Sequence, residues 1–289
     1  IVSFYNETVS AQATPSDVLL SVESAQNELR LMYDADLQEI PSIKVTKSAP
    51  RLPRHVYFKA REIFLKTQTL RKMNGLSEKK LPTVPDREIS PKDVKALADR
   101  IKNDITEVKA KYFVTAQAEV ALKQKNKKPT DVYLSLVYTG QLIDGLDMPN
   151  VVPNDVYRVA LAVLEEARIV SRAADGKDSE EKLEFVVSGK KPFDVYDNGV
   201  SLLESIYQMT KAKKGYDVPG GVVLPIRPQG GITPSDVMDL MSNTLAELNA
   251  LKLKLGVSDS AANQTEQSGK TPSNVFDVIE TTKVVLAGI

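Results

Sequence analysis

Eight copies of one short motif, Pro-x-(Asp/Asn/His)-Val, run through this chain of 289 residues and constrain its fold more than any other feature. Successive motif prolines lie 38, 38, 38, 24, 39, 42 and 38 residues apart, and the motif uses half of the sixteen prolines. The copies begin at Pro15, Pro53, Pro91, Pro129, Pro153, Pro192, Pro234 and Pro272. Regular spacing of this kind indicates repetition of one structural unit.

Each part of the motif has a place in the first turn of a helix. Proline suits the first helical position, because its missing N–H costs nothing there and its φ angle is already helical. The polar residue two positions later can accept the N–H of the residue before the proline, as in a capping box. Valine then begins an apolar stripe of helical period, as in Val94, Leu97, Ile101 and Ile105 of the third unit. The motif therefore predicts eight helices.

The lengths of the units indicate that a set of four was duplicated. Units one to four are offset from units five to eight by 138, 139, 143 and 143 residues, and the fourth and eighth units are both short. We therefore predict an all-α fold of two tandem duplicated four-helix modules, residues 1–148 and 149–289. The boundary is expected within residues 147–152.

The linkers inside each module are long and extended, at about fifteen residues or more, as in residues 76–90. Fifteen extended residues reach about 50 Å, whereas a helix of about 22 residues is about 33 Å long. A linker could therefore run back along its helix and start the next helix at the same end. A conventional up-down bundle with overlong loops fits the sequence equally well, so the direction of the helices stays open.

The residue content disfavours most catalytic and metal chemistry. The chain has no cysteine, which excludes disulfides and thiol chemistry, and His55 is its one histidine. A Ser-His-Asp triad or a histidine-based metal site is therefore not expected. His55 replaces the motif's acidic residue in unit two, and we interpret it as a variant surface cap rather than a pH switch or metal ligand. The sequence predicts no catalytic residue, no cofactor and no metal site.

The charge distribution argues against a nucleic-acid partner. Basic and acidic residues number 38 each, without the basic excess that phosphate binding needs. Residues 1–148 carry 23 basic and 19 acidic side chains, and residues 149–289 carry 15 and 19. The opposite signs favour docking between the halves or between molecules. No apolar run approaches the ~20 residues that span a bilayer, so no transmembrane segment is expected in this chain.

Tyrosine follows the motif valine in four units and forms the candidate binding surface. Rings at one repeated position could line a ligand groove, because tyrosine suits recognition surfaces. The alternative, which we favour, is that each ring covers the edge of its helix and packs on the returning linker. The four residues are Tyr57, Tyr133, Tyr157 and Tyr196.

The sequence points to a binding protein rather than an enzyme. We expect a non-enzymatic, exported helical repeat protein that acts as a binding or scaffold module in a periplasmic or surface assembly, with a protein or surface-polymer partner. Export fits the absence of cysteine, which chance explains nearly as well, and the start at Ile1 rather than Met fits either signal-peptide cleavage or trimming of the sequence. The alternatives are a ligand-sensing ectodomain of a membrane receptor and an enzyme with a carboxylate site between the modules. Binding is expected on the linker faces and tyrosine rings rather than in one buried pocket, and the oligomeric state stays open.

Overall fold

A computed structural model describes residues 12–42, 47–175, 181–259, 261 and 264–289. Within these ranges the chain forms eight α-helices and no strand, which confirms the predicted all-α class. Every motif proline is the first residue of a helix. The helices are α1 (Pro15–Ala35), α2 (Pro53–Met73), α3 (Pro91–Lys109), α4 (Pro129–Asp144), α5 (Pro153–Asp175), α6 (Pro192–Ala212), α7 (Pro234–Lys254) and α8 (Pro272–Ala287).

The motif residues perform the local roles that the sequence predicts for them. In all eight helices the polar side chain accepts the N–H of the residue before the proline, at 2.7 to 3.0 Å. The motif valine is buried in all eight. Proline therefore starts each helix, the polar residue satisfies the N–H before it, and valine directs the first turn toward the core.

The four helices of each half contact one another in a ring. In the first half α1 contacts α3 and α4, and α2 contacts the same two helices. In the second half α5 and α6 each contact α7 and α8. The order of contacts is therefore the same in the two halves.

Neighbouring helices within a half run parallel. The Gln26 side chain of α1 donates to the carbonyl of Ser135 in α4 at 3.0 Å, and further on the Tyr33 hydroxyl donates to the carbonyl of Leu142 at 2.5 Å. Residue numbers rise together along both helices, as they do only in a parallel pair. Parallel neighbours require each linker to return to the end where the previous helix began.

The linker between α2 and α3 shows this return. Near the end of α2, Arg71 donates to the carbonyl of Ser77 at 3.1 Å. Near the start of the same helix, the Tyr57 hydroxyl donates to the carbonyl of Thr83 at 3.1 Å. Residues 77–83 therefore run antiparallel to α2, and of the two geometries left open by the sequence the returning linker is the one that forms.

Buried ion pairs occupy matching positions in the two halves. Glu28 of α1 lies 2.7 Å from Lys109 of α3, and Glu166 of α5 lies 2.5 Å from Lys252 of α7. Both glutamates stand thirteen residues after their motif proline, and both lysines stand eighteen after theirs. A duplication predicts such matching contacts. The duplication itself, and the division at residues 148 and 149, stay predictions.

The two halves dock through α2 and α7, which form the main helix contact between them. His55 of α2 meets Glu247 of α7, and four residues later Lys59 meets Asp239. Residue numbers rise in α2 while they fall in α7, so these helices run antiparallel. Each half has its own cluster of buried apolar side chains, and Ala246 of α7 packs into the cluster of the first half.

Candidate functional site

A seam of buried polar groups joins α2 to α7. The carboxylate of Glu247 accepts hydrogen bonds from Nε2 of His55 at 2.8 Å, Nε of Arg54 at 3.0 Å and the N–H of Val223 at 2.8 Å. Burial alone would raise the pKa of Glu247, but His55 and Arg54 hold it below its ordinary value. Glu247 is thus an ionised carboxylate surrounded by hydrogen-bond donors, and such an arrangement makes a buried charge tolerable.

His55 is buried at the seam, so its interpretation as a surface residue is wrong. Its side chain has 0% exposure. The capping role is confirmed, because Nδ1 accepts the N–H of Leu52 at 3.0 Å. Since Nδ1 accepts, the ring proton lies on Nε2 and points to Glu247. Burial lowers the pKa of His55 against the opposing effect of Glu247, in keeping with a neutral ring.

Tyr133 of α4 takes part in a second group of the seam. Its hydroxyl donates to Asp239 of α7 at 2.5 Å, and Lys59 of α2 lies 3.1 Å from the same carboxylate. The guanidinium of Arg51 stacks over the Tyr133 ring at 4.3 Å. Burial favours the neutral form of Asp239, but the charge of Lys59 keeps its pKa below the ordinary value. These contacts fix how the two halves sit together.

The four repeated tyrosines face linkers or their flanking residues and do not form an exposed surface. Each has only 3% exposure. Burial raises the pKa of all four, and that of Tyr196 to about 12. This packing agrees with the alternative favoured by the sequence, while a role in binding stays a prediction. The contacts are Tyr57 with Thr83, Tyr133 with Arg51, Tyr157 with Lys270 and Tyr196 with Arg227.

A cleft of about 470 Å³ opens beside the seam, between α2, α5 and α7. Residues 148–152, which connect the halves, form one edge of it. Most of its surface is apolar. The apolar side chains that line it include Phe58 and Leu65 of α2, Leu81 and Val84 of the linker after α2, Met148 of the connection, Val159 and Ala162 of α5, and Met238 and Leu245 of α7.

No protein-family model, curated protein or solved structure matches this chain. The geometry of the cleft and the seam therefore carries the functional inference. In the described ranges no helix is both long and apolar enough to cross a membrane. Nor do those ranges bring together three or more His, Asp or Glu side chains that could hold a metal ion.

Most charged groups that line the cleft have a partner. Lys66 is paired with Asp144 at 2.6 Å, and Glu62 with Lys59 at 3.0 Å. Arg158 of α5 is half-buried, lines the cleft and makes no hydrogen bond or ion pair with any described residue. Among the cations that line the cleft, Arg158 is therefore the one without a hydrogen-bond or ion-pair partner in the described part of the chain.

The sequence did not single out Glu166 or Arg158. A signal existed for Glu166, which interrupts the apolar stripe of α5 at the same register as Glu28 in α1. The lining carboxylate of Glu166 lies 2.5 Å from Lys252 and accepts the N–H of Ala261 at 3.2 Å. Arg158 has no such signal, because the cleft exists only after α2 and α7 dock beside α5.

Proposed function

We propose that this chain is a non-enzymatic binding protein whose ligand site is the cleft between its two halves. The cleft supports this proposal because its volume lies within the range of small-molecule sites, about 300 to 1,000 Å³. Apolar walls with a few polar groups are also typical of such sites. One ligand in this position would contact α2, α5 and α7 together.

The state of the lining carboxylates favours binding over acid–base chemistry. Glu62, Asp144 and Glu166 are each within 3.0 Å of a lysine nitrogen. Asp155 accepts the N–H of Val152 at 3.0 Å, where it caps α5. Carboxylates held in this way neutralise neighbouring charges and donors. An enzyme that used these carboxyl groups for acid–base catalysis would need one of them free to exchange a proton with its substrate.

The position of the cleft also favours the sensing role considered as an alternative. Residues of both halves line it, so a ligand would bind more tightly to one arrangement of the halves than to another. Differential affinity of this kind is what shifts a conformational equilibrium. Export to the periplasm or the cell surface is part of the proposal and is compatible with the absence of cysteine. A scaffold role, with a protein or polymer partner on the outer faces, is the outcome if the cleft binds nothing.

A neutral fluorescent probe tests the site without presuming the ligand's charge. We would titrate the protein with N-phenyl-1-naphthylamine, whose emission rises in apolar surroundings. Ala162→Phe fills the cleft from α5, and Ala96→Phe adds the same side chain at an exposed position of α3 outside it. We expect saturable binding to the wild type and to Ala96→Phe, and binding at least about tenfold weaker to Ala162→Phe.

Circular dichroism and thermal melting would establish that both variants are folded. Equal probe affinity in folded Ala162→Phe and in the wild type would place the probe elsewhere and contradict the proposal. Absence of saturable binding to the wild type would contradict it as well.

A further inference from the structure

The balance of charges around the cleft defines the kind of ligand that it can hold. Lys66 and Asp144 neutralise each other, and so do Glu166 and Lys252. Glu62 lies 3.0 Å from Lys59, which it shares with Asp239 of the seam. These pairs leave no unpartnered carboxylate among them to attract a cationic ligand.

The cations that line the cleft differ in whether they have a partner. Lys66 is held by Asp144, and Arg61 donates to the carbonyl of Pro82. Arg158 alone among the lining cations is without a partner in the described part of the chain, although Asp155 stands one turn before it on α5. Asp155 instead uses its carboxylate to cap the helix through Val152. A half-buried guanidinium that faces apolar walls is satisfied best by an anion, because partial burial strengthens the attraction between the charges.

The geometry of guanidinium favours a carboxylate as that anion. Arginine presents parallel N–H donors that match the two oxygens of a carboxylate. A phosphate monoester carries nearly two charges at neutral pH, whereas Arg158 is a single cation and the one lining cation without a partner in the described part of the chain. Apolar side chains that line the same cleft, such as Val159 and Met238, suit a hydrocarbon body attached to the head group.

We propose that the cleft binds an amphipathic monocarboxylate, such as a medium-chain fatty acid, with its carboxylate on Arg158. Its hydrocarbon body lies along the apolar walls contributed by α2, α5 and α7. This proposal rests on the proposed binding function of the cleft and specifies the chemistry of its ligand. Neither Lys66 nor Arg61 takes part in holding the head group, because both already have partners.

Three amphiphiles with a ten-carbon chain separate the contribution of the head group from that of the chain. Decanoate, decanol and decyltrimethylammonium would be titrated into the full chain by calorimetry and by competition with N-phenyl-1-naphthylamine. Decanoate is expected to bind most tightly. Arg158→Gln should weaken decanoate binding by about tenfold to a hundredfold, as expected for one hydrogen-bonded ion pair, and should leave decanol binding unchanged.

A matched control lies on the same helix. Arg168→Gln removes an arginine that pairs with Glu165 outside the cleft, so it should not affect decanoate affinity. Arg158→Lys should retain part of the affinity, because it keeps the charge and loses the paired donors.

The outcomes distinguish this proposal from the function on which it rests. If the neutral probe binds in the cleft but decanoate binds no better than decanol, the carboxylate proposal fails and the binding function stands. Equal losses for decanoate and decanol in Arg158→Gln would show that Arg158 only packs against the ligand, and would also overturn the proposal. If the probe itself does not bind, the proposed function fails first.

Discussion

Nε2 of His55 lies 2.8 Å from Oε1 of Glu247, so the one histidine of the chain joins the first half to the second. The opposite ring nitrogen accepts the N–H of Leu52 and caps α2. One neutral imidazole thus serves the start of a helix and the contact between the halves. Protonation of Nδ1 would remove the acceptor for Leu52 and place a second proton donor at the helix N-terminus.

The stability of the protein should fall as the pH falls below about 6.5. Burial lowers the pKa of His55 from its ordinary value near 6.5. The unfolded chain therefore takes up a proton at a higher pH than the folded chain does. The stability is fully present above pH 6.5 and is lost as the pH falls from there toward the lowered pKa. For one proton, the free energy of unfolding cannot change by more than about 1.4 kcal/mol per pH unit.

Urea denaturation between pH 7.5 and pH 5 would measure this slope, with His55→Gln as the control. Glu247 loses its charge only at lower pH, because its pKa is held below the ordinary value near 4.5. Because no other histidine is present, the variant should lack the slope between pH 6.5 and pH 5. A similar slope in His55→Gln, or a flat profile in the wild type, would show that His55 is not responsible.

The sequence predicted what depends on local interactions. The roles of Pro234, Asp236 and Val237 involve residues within a single turn, and such contacts are the same wherever the helix packs. For that reason the starts of all eight helices were predicted correctly. The returning linkers were identified as one of two possibilities, because length alone shows that a linker can return and not that it does.

The features that the sequence missed depend on contacts between distant residues. His55 is separated from Glu247 by 192 residues, and no local pattern distinguishes a buried cap from an exposed one. The hydrogen bond from Tyr133 to Asp239 likewise depends on the docking of α7. The cleft itself is a space between docked helices, so no single segment encodes it.

The capping role of the motif acid can be tested at α7. Asp236 accepts both the N–H and the hydroxyl of Thr233, at 2.8 and 2.6 Å. Asp236→Ala should lower the free energy of unfolding by about 0.5 to 2 kcal/mol, measured by urea denaturation. Asp236→Asn should cost much less, because Asn274 accepts the corresponding N–H in α8 at 2.9 Å. Equal losses in the two variants would contradict the role of the side-chain acceptor.

The matched ion pairs should respond alike to mutation in the two halves. Lys252→Met leaves the buried carboxylate of Glu166 without its cation, which should destabilise the protein by about 3 to 5 kcal/mol. Lys109→Met should also destabilise the protein, because it leaves Glu28 without its cation. The loss should be smaller, since that pair is slightly more exposed. In each half, a second change of the glutamate to leucine should recover most of the loss. Double variants as unstable as the sum of their single changes would show that the partners do not interact.

The most direct test of the cleft as the binding site is to block it chemically after the probe affinity of the unmodified protein has been measured. Because the chain has no cysteine, N-ethylmaleimide will modify only an introduced thiol. Ala162→Cys lines the cleft, and Ala96→Cys is exposed on α3 outside it. The affinity for N-phenyl-1-naphthylamine would be measured before and after modification of each variant. We predict a loss of at least about tenfold for Ala162→Cys and no change for Ala96→Cys. Unchanged probe affinity in fully modified Ala162→Cys would contradict the claim that ligands bind between the two halves.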